Sequence, residues 1–267
     1  MDHPDCYKDL ADVQNAFRRF VLNVKQGGAA VINADDINSD ILRCAPPCEI
    51  ITFGIKAGHY RAKHIKRENG RYSFDILERG KFLCRVSLKV FGRHNIYNAL
   101  AATVAARRHG ANAAAVKAGL EDFSGMKRRF ELWGNICGAP TYHDYAHHPD
   151  EIMATLKTAK TLKKRKIICV FQPHTYSRTQ NLYKDFIKVL KKFDLILMPE
   201  IYAARENPID GITSAAICAA LNKKGRAAYA CKDFPETAER IKTTATPSSL
   251  ILILGAGNIE NLKEYLF

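Results

Sequence analysis

The sequence predicts an α/β chain of two domains, and three observations carry that prediction. Beyond residue 125, short apolar runs alternate with helical stretches, the rhythm of a parallel sheet covered on both faces. From residue 49 to 91 apolar and polar residues alternate instead, as in half-buried antiparallel strands. Between the blocks, Asp122-Phe123-Ser124-Gly125 breaks the pattern, so the domains are expected over residues 1–124 and 125–267.

The elements follow in order. Residues 8–24 read as an amphipathic helix, because Leu10, Val13, Ala16, Phe17, Phe20, Val21 and Val24 recur at helical spacing. Gly27-Gly28 ends it, 29–34 is a short buried strand, and Asp35-Asp36 a turn. Residues 49–91 hold three or four mostly antiparallel strands, with a hairpin turn at Asn69-Gly70 and a register change near Gly80. Gly92 permits a sharp turn into an alanine-rich helix, and a second helix covers 111–120. In the second domain, strands are expected at 141–145, 167–171, 195–198, 227–230 and 250–254. Helices fill the gaps near 150–163, 179–192, 214–224, 234–245 and 258–266. That order describes a Rossmann-like domain.

Composition narrows the class. An apolar share of 47% suffices for real cores. No run approaches the roughly 18 apolar residues of a membrane span, and the acidic start Met1-Asp2-His3-Pro4-Asp5 is unlike a signal or transit peptide. A cytoplasmic protein is expected. Cys84, Cys169 and Cys218 lie in apolar runs and read as core residues; Cys44 and Cys48 are close but lack further ligands at zinc spacing. The net charge of +14 suits anionic partners such as nucleotides or sugar diphosphates, although most lysines belong on solvated helix faces. A nucleic-acid partner would rest on charge alone and is not expected.

The stretch richest in chemistry is His143-Asp144-Tyr145-Ala146-His147-His148-Pro149-Asp150-Glu151. Pro149 fits the first turn of a helix, and Asp150 and Glu151 suit its positive end. The cluster then hangs at the carboxyl end of a strand, where open α/β sheets bind ligands. A polar surface loop is the plain alternative, and a zinc site of His143, His147 and His148 a rival. Asn95 and Asn98 share a helix face near an anion-attracting end, beside His94, which suits a nucleotide; helix-capping asparagines are the alternative there. Gly255-Ala256-Gly257 is a weak dinucleotide fingerprint, with Glu260 in place of a third glycine.

Taken together, these strings resemble the Mur ligase family, in its order. Asp2-His3-Pro4-Asp5 is similar to the family's D-H-x-D, and residues 27–36 to its GG..V.NADD segment. Gly92 to Ala102 is nearly its G-x-H-N-x-x-N-A-L-A-A, Arg128-Arg129-Phe130-Glu131 its R-R-F-E, and residues 144–151 its D-Y-A-H-H-P-T/D-E. Residues 171–179 resemble F-Q-P-H-R-Y-T/S-R-T, with Thr175 replacing an arginine. Residues 200–209 resemble D-I-Y-A-A-G-E-x-P-I, with Arg205 replacing the glycine, and residues 255–259 the closing G-A-G-N/D-I.

The resemblance implies the later part of a central ATPase domain followed by a Rossmann-like C-terminal domain. It implies a cytoplasmic, ATP- and Mg2+-dependent ligase that joins L-alanine to UDP-N-acetylmuramate through an acyl phosphate, in peptidoglycan precursor synthesis. His94, Asn95, Asn98, Arg129 and Asp144 would then contact ATP, and His3 would help to hold magnesium. Tyr145, His147, His148, His174, Arg178 and Glu206 would line the substrate pocket, with Asp144, His147, His174 and Arg178 nearest the chemistry. His147 could accept the amine proton. The chain contains no G-x-x-G-K-T/S loop, so it is expected to be part of a longer ligase. Its partner would be the missing N-terminal part, and it would be inactive alone. A murein tripeptide ligase of cell-wall recycling and a non-catalytic nucleotide- or substrate-binding module are the alternatives.

Overall fold

The structure, a computed structural model, describes residues 6–43 and 48–267. His3 and Cys44 lie outside them. The chain divides between Ser124 and Gly125 into two compact units.

The first unit begins with α1 (Leu10–Leu22), capped by Asp9, whose carboxylate accepts from the Asp12 amide at 2.9 Å. β1 (Ala29–Asn33), β2 (Glu49–Gly54), β3 (Tyr60–Glu68), β4 (Arg71–Glu78) and β5 (Lys81–Phe91) form one sheet in chain order. The first three strands pair in parallel, β3 to β5 antiparallel. The expected mostly antiparallel reading therefore holds for β3–β5 and fails for β2, because a parallel pair needs no hairpin signal in the sequence. Asn69-Gly70 makes the β3–β4 turn. Near Gly80 the pairing slips by one residue, Ile76 facing Cys84 but Leu77 facing Phe82.

Two helices, α2 (His94–Arg108) and α3 (Ala113–Asp122), pack on this sheet. Ile96, Leu100, Val104 and Val116 bury against Phe74, Ile76 and Val86. The amino end of the unit is less covered. α1 buries only Val21, leaving Phe17 and Phe20 at 55% and 72% exposure, and β1 is an edge strand.

The second unit contains β6 (Glu131–Ile136), β7 (Ala139–Asp144), α4 (Pro149–Lys160), β8 (Lys166–Phe171), α5 (Tyr176–Asn181), α6 (Tyr183–Leu190), β9 (Leu195–Met198), α7 (Ser214–Asn222), β10 (Ala227–Ala230), α8 (Phe234–Thr244), β11 (Ser249–Leu254) and α9 (Lys263–Leu266). The strand order is β10-β9-β8-β11-β7-β6. Five strands run parallel, as their continuous apolar runs require. β6, which sequence reasoning missed, closes the edge antiparallel to β7. It was hidden because Gly134 and Asn135 dilute its apolar pattern.

Alternate residues feed two cores. Ile168, Val170, Ile251 and Ile253 meet Ala238 and Ile241 of α8 and Leu266 of α9 on one face. On the other, α4, α6 and α7 lie side by side, and Phe171 packs on Phe186. The helix expected at 179–192 is broken in two at Leu182. The closing helix is only a turn at Ile259–Leu262 followed by α9. No helix among the described residues is long and apolar enough to cross a membrane.

Candidate functional site

The candidate site lies at the carboxyl ends of β7, β8, β9 and β11, where the loops leave the parallel sheet. After β7, Asp144 turns inward. Its carboxylate accepts from Thr155 Oγ1 at 2.8 Å and from the Ala146 amide at 3.2 Å, tying the loop to α4. Burial raises its pKa, with those two bonds opposing the rise. Expected beside a nucleotide, Asp144 is instead held by the scaffold, at 9% exposure.

His148 is the N-cap of α4 and completes a capping box. Its Nδ1 accepts from the Asp150 amide, while Glu151 Oε2 accepts from the amides of His147 (3.0 Å) and His148 (3.2 Å). The opposite ring atom, His148 Nε2, is buried with no hydrogen-bond partner among the described residues. His147 places Nδ1 3.0 Å from the Tyr145 carbonyl. A carbonyl only accepts, so Nδ1 carries a proton, and in the neutral ring Nε2 is left as the acceptor.

After β8, a short parallel bridge between His174 and Tyr202 joins two loops. The His174 ring stacks on Tyr202 (5.5 Å, 25°) and lies 6.0 Å from the His147 ring. Arg178 Nη1 is 3.2 Å from His174 Nδ1. A guanidinium only donates, so this imidazole is neutral, with its proton on Nε2. Burial first, then the charge of Arg178 and the neighbouring His147, hold its pKa below the ordinary value. The cluster thus joins an acceptor on His147 to a donor on His174.

Glu206, expected to meet substrate, spends both oxygens on Ser177: 2.8 Å to its amide and 2.6 Å to its hydroxyl. Burial alone would raise its pKa, but these bonds hold it down. It positions the loop that carries Arg178. The two departures from the family pattern differ in cost. Arg205 sits beside the turn residue with positive φ, which is Ala204 at 53°, so a side chain at 205 is tolerated. Thr175 itself adopts φ 64°, ψ 151°, a region almost confined to glycine.

Arg128 and Arg129 divide the labour at the start of β6. Arg128 is a latch: its guanidinium covers the Tyr145 ring at 4.6 Å, donates to the Gly257 carbonyl at 3.1 Å and pairs with Glu260 at 3.3 Å. Arg129 is exposed, with only a 4.0 Å approach to Glu151 and the Tyr145 ring at 5.5 Å. Sequence reasoning missed Arg128, Glu151, Tyr202 and Gln172. The last donates from Nε2 to Asn258 Oδ1 at 2.9 Å, joining the β8 and β11 loops. At Gly257 a methyl group would lie 2.5 Å from Tyr202 Cγ, which accounts for that glycine.

His143 takes no part. Pointing to the other face of β7, it packs on Trp133 (4.5 Å), and burial pushes its pKa down to about 4. Its separation from His147 and His148 removes the three-histidine zinc arrangement. Among the described residues, no group of three or more His, Cys, Asp or Glu is placed to hold a metal ion. The magnesium expectation rests on His3, outside the described residues.

In the first unit, His94, Asn95 and Asn98 do meet on the first turn of α2. Asn95 Nδ2 donates to the Phe91 carbonyl (2.7 Å) and lies 3.3 Å from His94 Nε2, while Asn98 Nδ2 donates to Asn95 Oδ1 (2.9 Å). Neither asparagine caps the helix, whose N-cap is Arg93. Behind them, the Asp35 carboxylate accepts from the amides of Ile55 (2.7 Å), Lys56 and Ala57 (both 3.1 Å) and from the Tyr97 hydroxyl (3.0 Å). Partial burial would raise its pKa, yet these donors lower it.

Comparison with known proteins agrees with this layout. Residues 1–106 match the Mur ligase middle domain, and residues 128–257 the Mur ligase, glutamate ligase domain. A UDP-N-acetylmuramate–L-alanine ligase of Caldicellulosiruptor saccharolyticus is 37% identical over 267 residues, covering 99% of this chain and 59% of that protein. Its counterpart in Acetivibrio thermocellus is 39% identical over 266 residues, covering 98% and 57%. The crystal structure of the UDP-N-acetylmuramate-alanine ligase of Thermotoga maritima superimposes with a TM-score of 0.77 at 29% identity, covering 99% of this chain and 56% of that one. The chain thus spans less than three-fifths of the length of the relatives it matches. It belongs to the Mur ligase family, with sequence from both the middle and the glutamate ligase domains.

Proposed function

We propose that the chain supplies the amino-acid side and part of the nucleotide side of an ATP-dependent ligase that joins L-alanine to UDP-N-acetylmuramate. The carrying observation is the group of His147, His174 and Arg178, with an acceptor nitrogen on one imidazole and a donor on the other. The reaction forms an acyl phosphate at the lactyl carboxylate. The alanine amine attacks it and sheds a proton, and phosphate leaves. His147 Nε2 is suited to take that proton. Arg178 offers a cationic fork for the alanine carboxylate, and His174 Nε2–H a further donor to it. Tyr145 forms a wall held by Arg128.

Arg129, more exposed than Arg128 and with a 4.0 Å approach to Glu151, suits nucleotide phosphate. His94, Asn95 and Asn98 suit the nucleotide, whose phosphate-binding loop the present sequence does not contain. Asp144 and Glu206 act by holding loops, with any ligand contact secondary. ATP and magnesium are therefore assigned to the longer enzyme, with His3 as this chain's metal contact.

Phosphate release, measured with ATP, L-alanine and UDP-N-acetylmuramate, tests the reading. The chain alone should be silent. Co-expression with a polypeptide that supplies the phosphate-binding loop and UDP-binding domain should give turnover that needs all three substrates. Turnover with the tripeptide but not with L-alanine would assign the chain to the recycling ligases.

A further inference from the structure

At the other edge of the second unit lies a cluster of cations that the ligase reading does not use. α4, α6 and α7 lie side by side, and each ends shortly before the next strand begins. Their last turns and the approach to β10 gather Lys160, Lys191, Lys192, Lys224 and Arg226 around one cleft of about 660 Å³. All five residues are exposed, and none forms an ion pair with a carboxylate among the described residues. Asp194, the acidic residue beside this turn, is engaged by the Ile167 amide at 2.7 Å.

Helix ends offset part of this charge. Each carboxyl terminus carries about half a negative charge, so three of them together with the Asp194 carboxylate supply roughly two and a half against five positive ones. The remainder repels itself until an anion arrives. A second groove of about 290 Å³ between α6 and α7 shares Lys191 and Lys224 with the first, and adds Lys184 and Lys188 above Tyr183 and Ile187. The candidate ligase site lies at the carboxyl ends of the same parallel strands, so this cleft lies at the opposite end of the sheet from it.

We propose that the cleft is a second anion site for a compact polyphosphate-bearing small molecule, such as a nucleoside triphosphate. Its volume falls within the range of small-molecule pockets, roughly 300–1,000 Å³. Single-stranded nucleic acid would require a longer track carrying stacking aromatics. Arg226 can clasp paired phosphate oxygens, and the lysines act as point charges.

The test titrates inorganic tripolyphosphate into the full chain and follows backbone amide resonances. Saturable shifts are expected around 160, 191–192 and 224–226, weakening as salt rises. The double variant Lys191→Glu/Lys224→Glu should bind about tenfold more weakly or worse. Both positions are exposed, so its melting temperature should stay unchanged. His94→Ala, in the other unit, should leave these shifts intact, which separates this site from the nucleotide contacts proposed above. Absence of saturation into the millimolar range, or full binding by the double variant, would overturn the proposal. So would a thymidine oligonucleotide that binds the same residues more tightly with increasing length, since that result gives the cleft to nucleic acid.

Discussion

His174 Nδ1 stands 3.2 Å from the Arg178 guanidinium, and that single approach fixes which ring nitrogen faces the cleft as a donor. Burial and the cation together hold the imidazole below its ordinary pKa. Replacing Arg178 with methionine should therefore raise the His174 pKa, measured by titrating its ring proton resonances. No movement would mean that burial alone sets the value, and the donor role of His174 would lose its cause.

Acid should weaken the second unit through His143. Its folded pKa is about 4, against 6.5 for the free side chain. The unfolded chain takes up this proton as pH falls below about 6.5, while the native state takes it only near 4. The contribution is therefore complete above pH 6.5, declines between 6.5 and 4, and is level below that. The loss is on the order of 3 kcal/mol. Trp133, the single tryptophan, packs on this ring and reports unfolding by fluorescence. Urea midpoints at pH 7 and pH 5 should converge in His143→Phe.

Thr175→Gly should raise the melting temperature. The native backbone there costs about 1–3 kcal/mol for a β-branched residue. Glycine gives back roughly 0.5–1 kcal/mol through greater freedom in the unfolded chain. A net gain of about 1 kcal/mol is expected in thermal denaturation. A fall would mean that the Thr175 side chain contributes more than its strain removes.

Gly257→Ala should act in the opposite direction. A methyl group 2.5 Å from Tyr202 Cγ and 2.9 Å from Gln172 Oε1 has to displace one of them. A loss of about 1–3 kcal/mol is expected, with the His174 ring resonances shifted as Tyr202 moves. Unchanged spectra would show that the loop yields elsewhere.

Hydrogen exchange should rank the elements. α1 and β1, with Phe17, Phe20 and Val31 exposed, should exchange first, and β11, buried throughout, and β8, buried from Ile167 on, last. Equal protection of α1 and β11 would contradict the burial pattern.

The parallel core of the second unit was legible because strands buried on both faces read as continuous apolar runs. β9, buried at every position, falls on its expected residues for that reason. β6 was not legible, since its glycine and asparagine hide the alternation. At the candidate site, the strings located His147, His174 and Arg178 together. They said nothing of which atoms the scaffold claims. Asp144 and Glu206 look like ligand-facing carboxylates in sequence, but amides and hydroxyls, most of them distant in the chain, hydrogen-bond to them. Arg128 and Arg129 are equivalent in one dimension. Only the fold separates the latch, held at Gly257 and Glu260, from the more exposed Arg129.

The Asp35 carboxylate joins the turn at residues 55–57 to Tyr97 near the start of α2. The two segments therefore fluctuate together, and the first turn that carries His94, Asn95 and Asn98 cannot loosen without the strand-end turn following it. The disorder that a ligand would otherwise remove from this corner is already lost when the unit folds. Binding there then costs little further entropy, and affinity falls with the loss of one partly buried acid behind the helix turn.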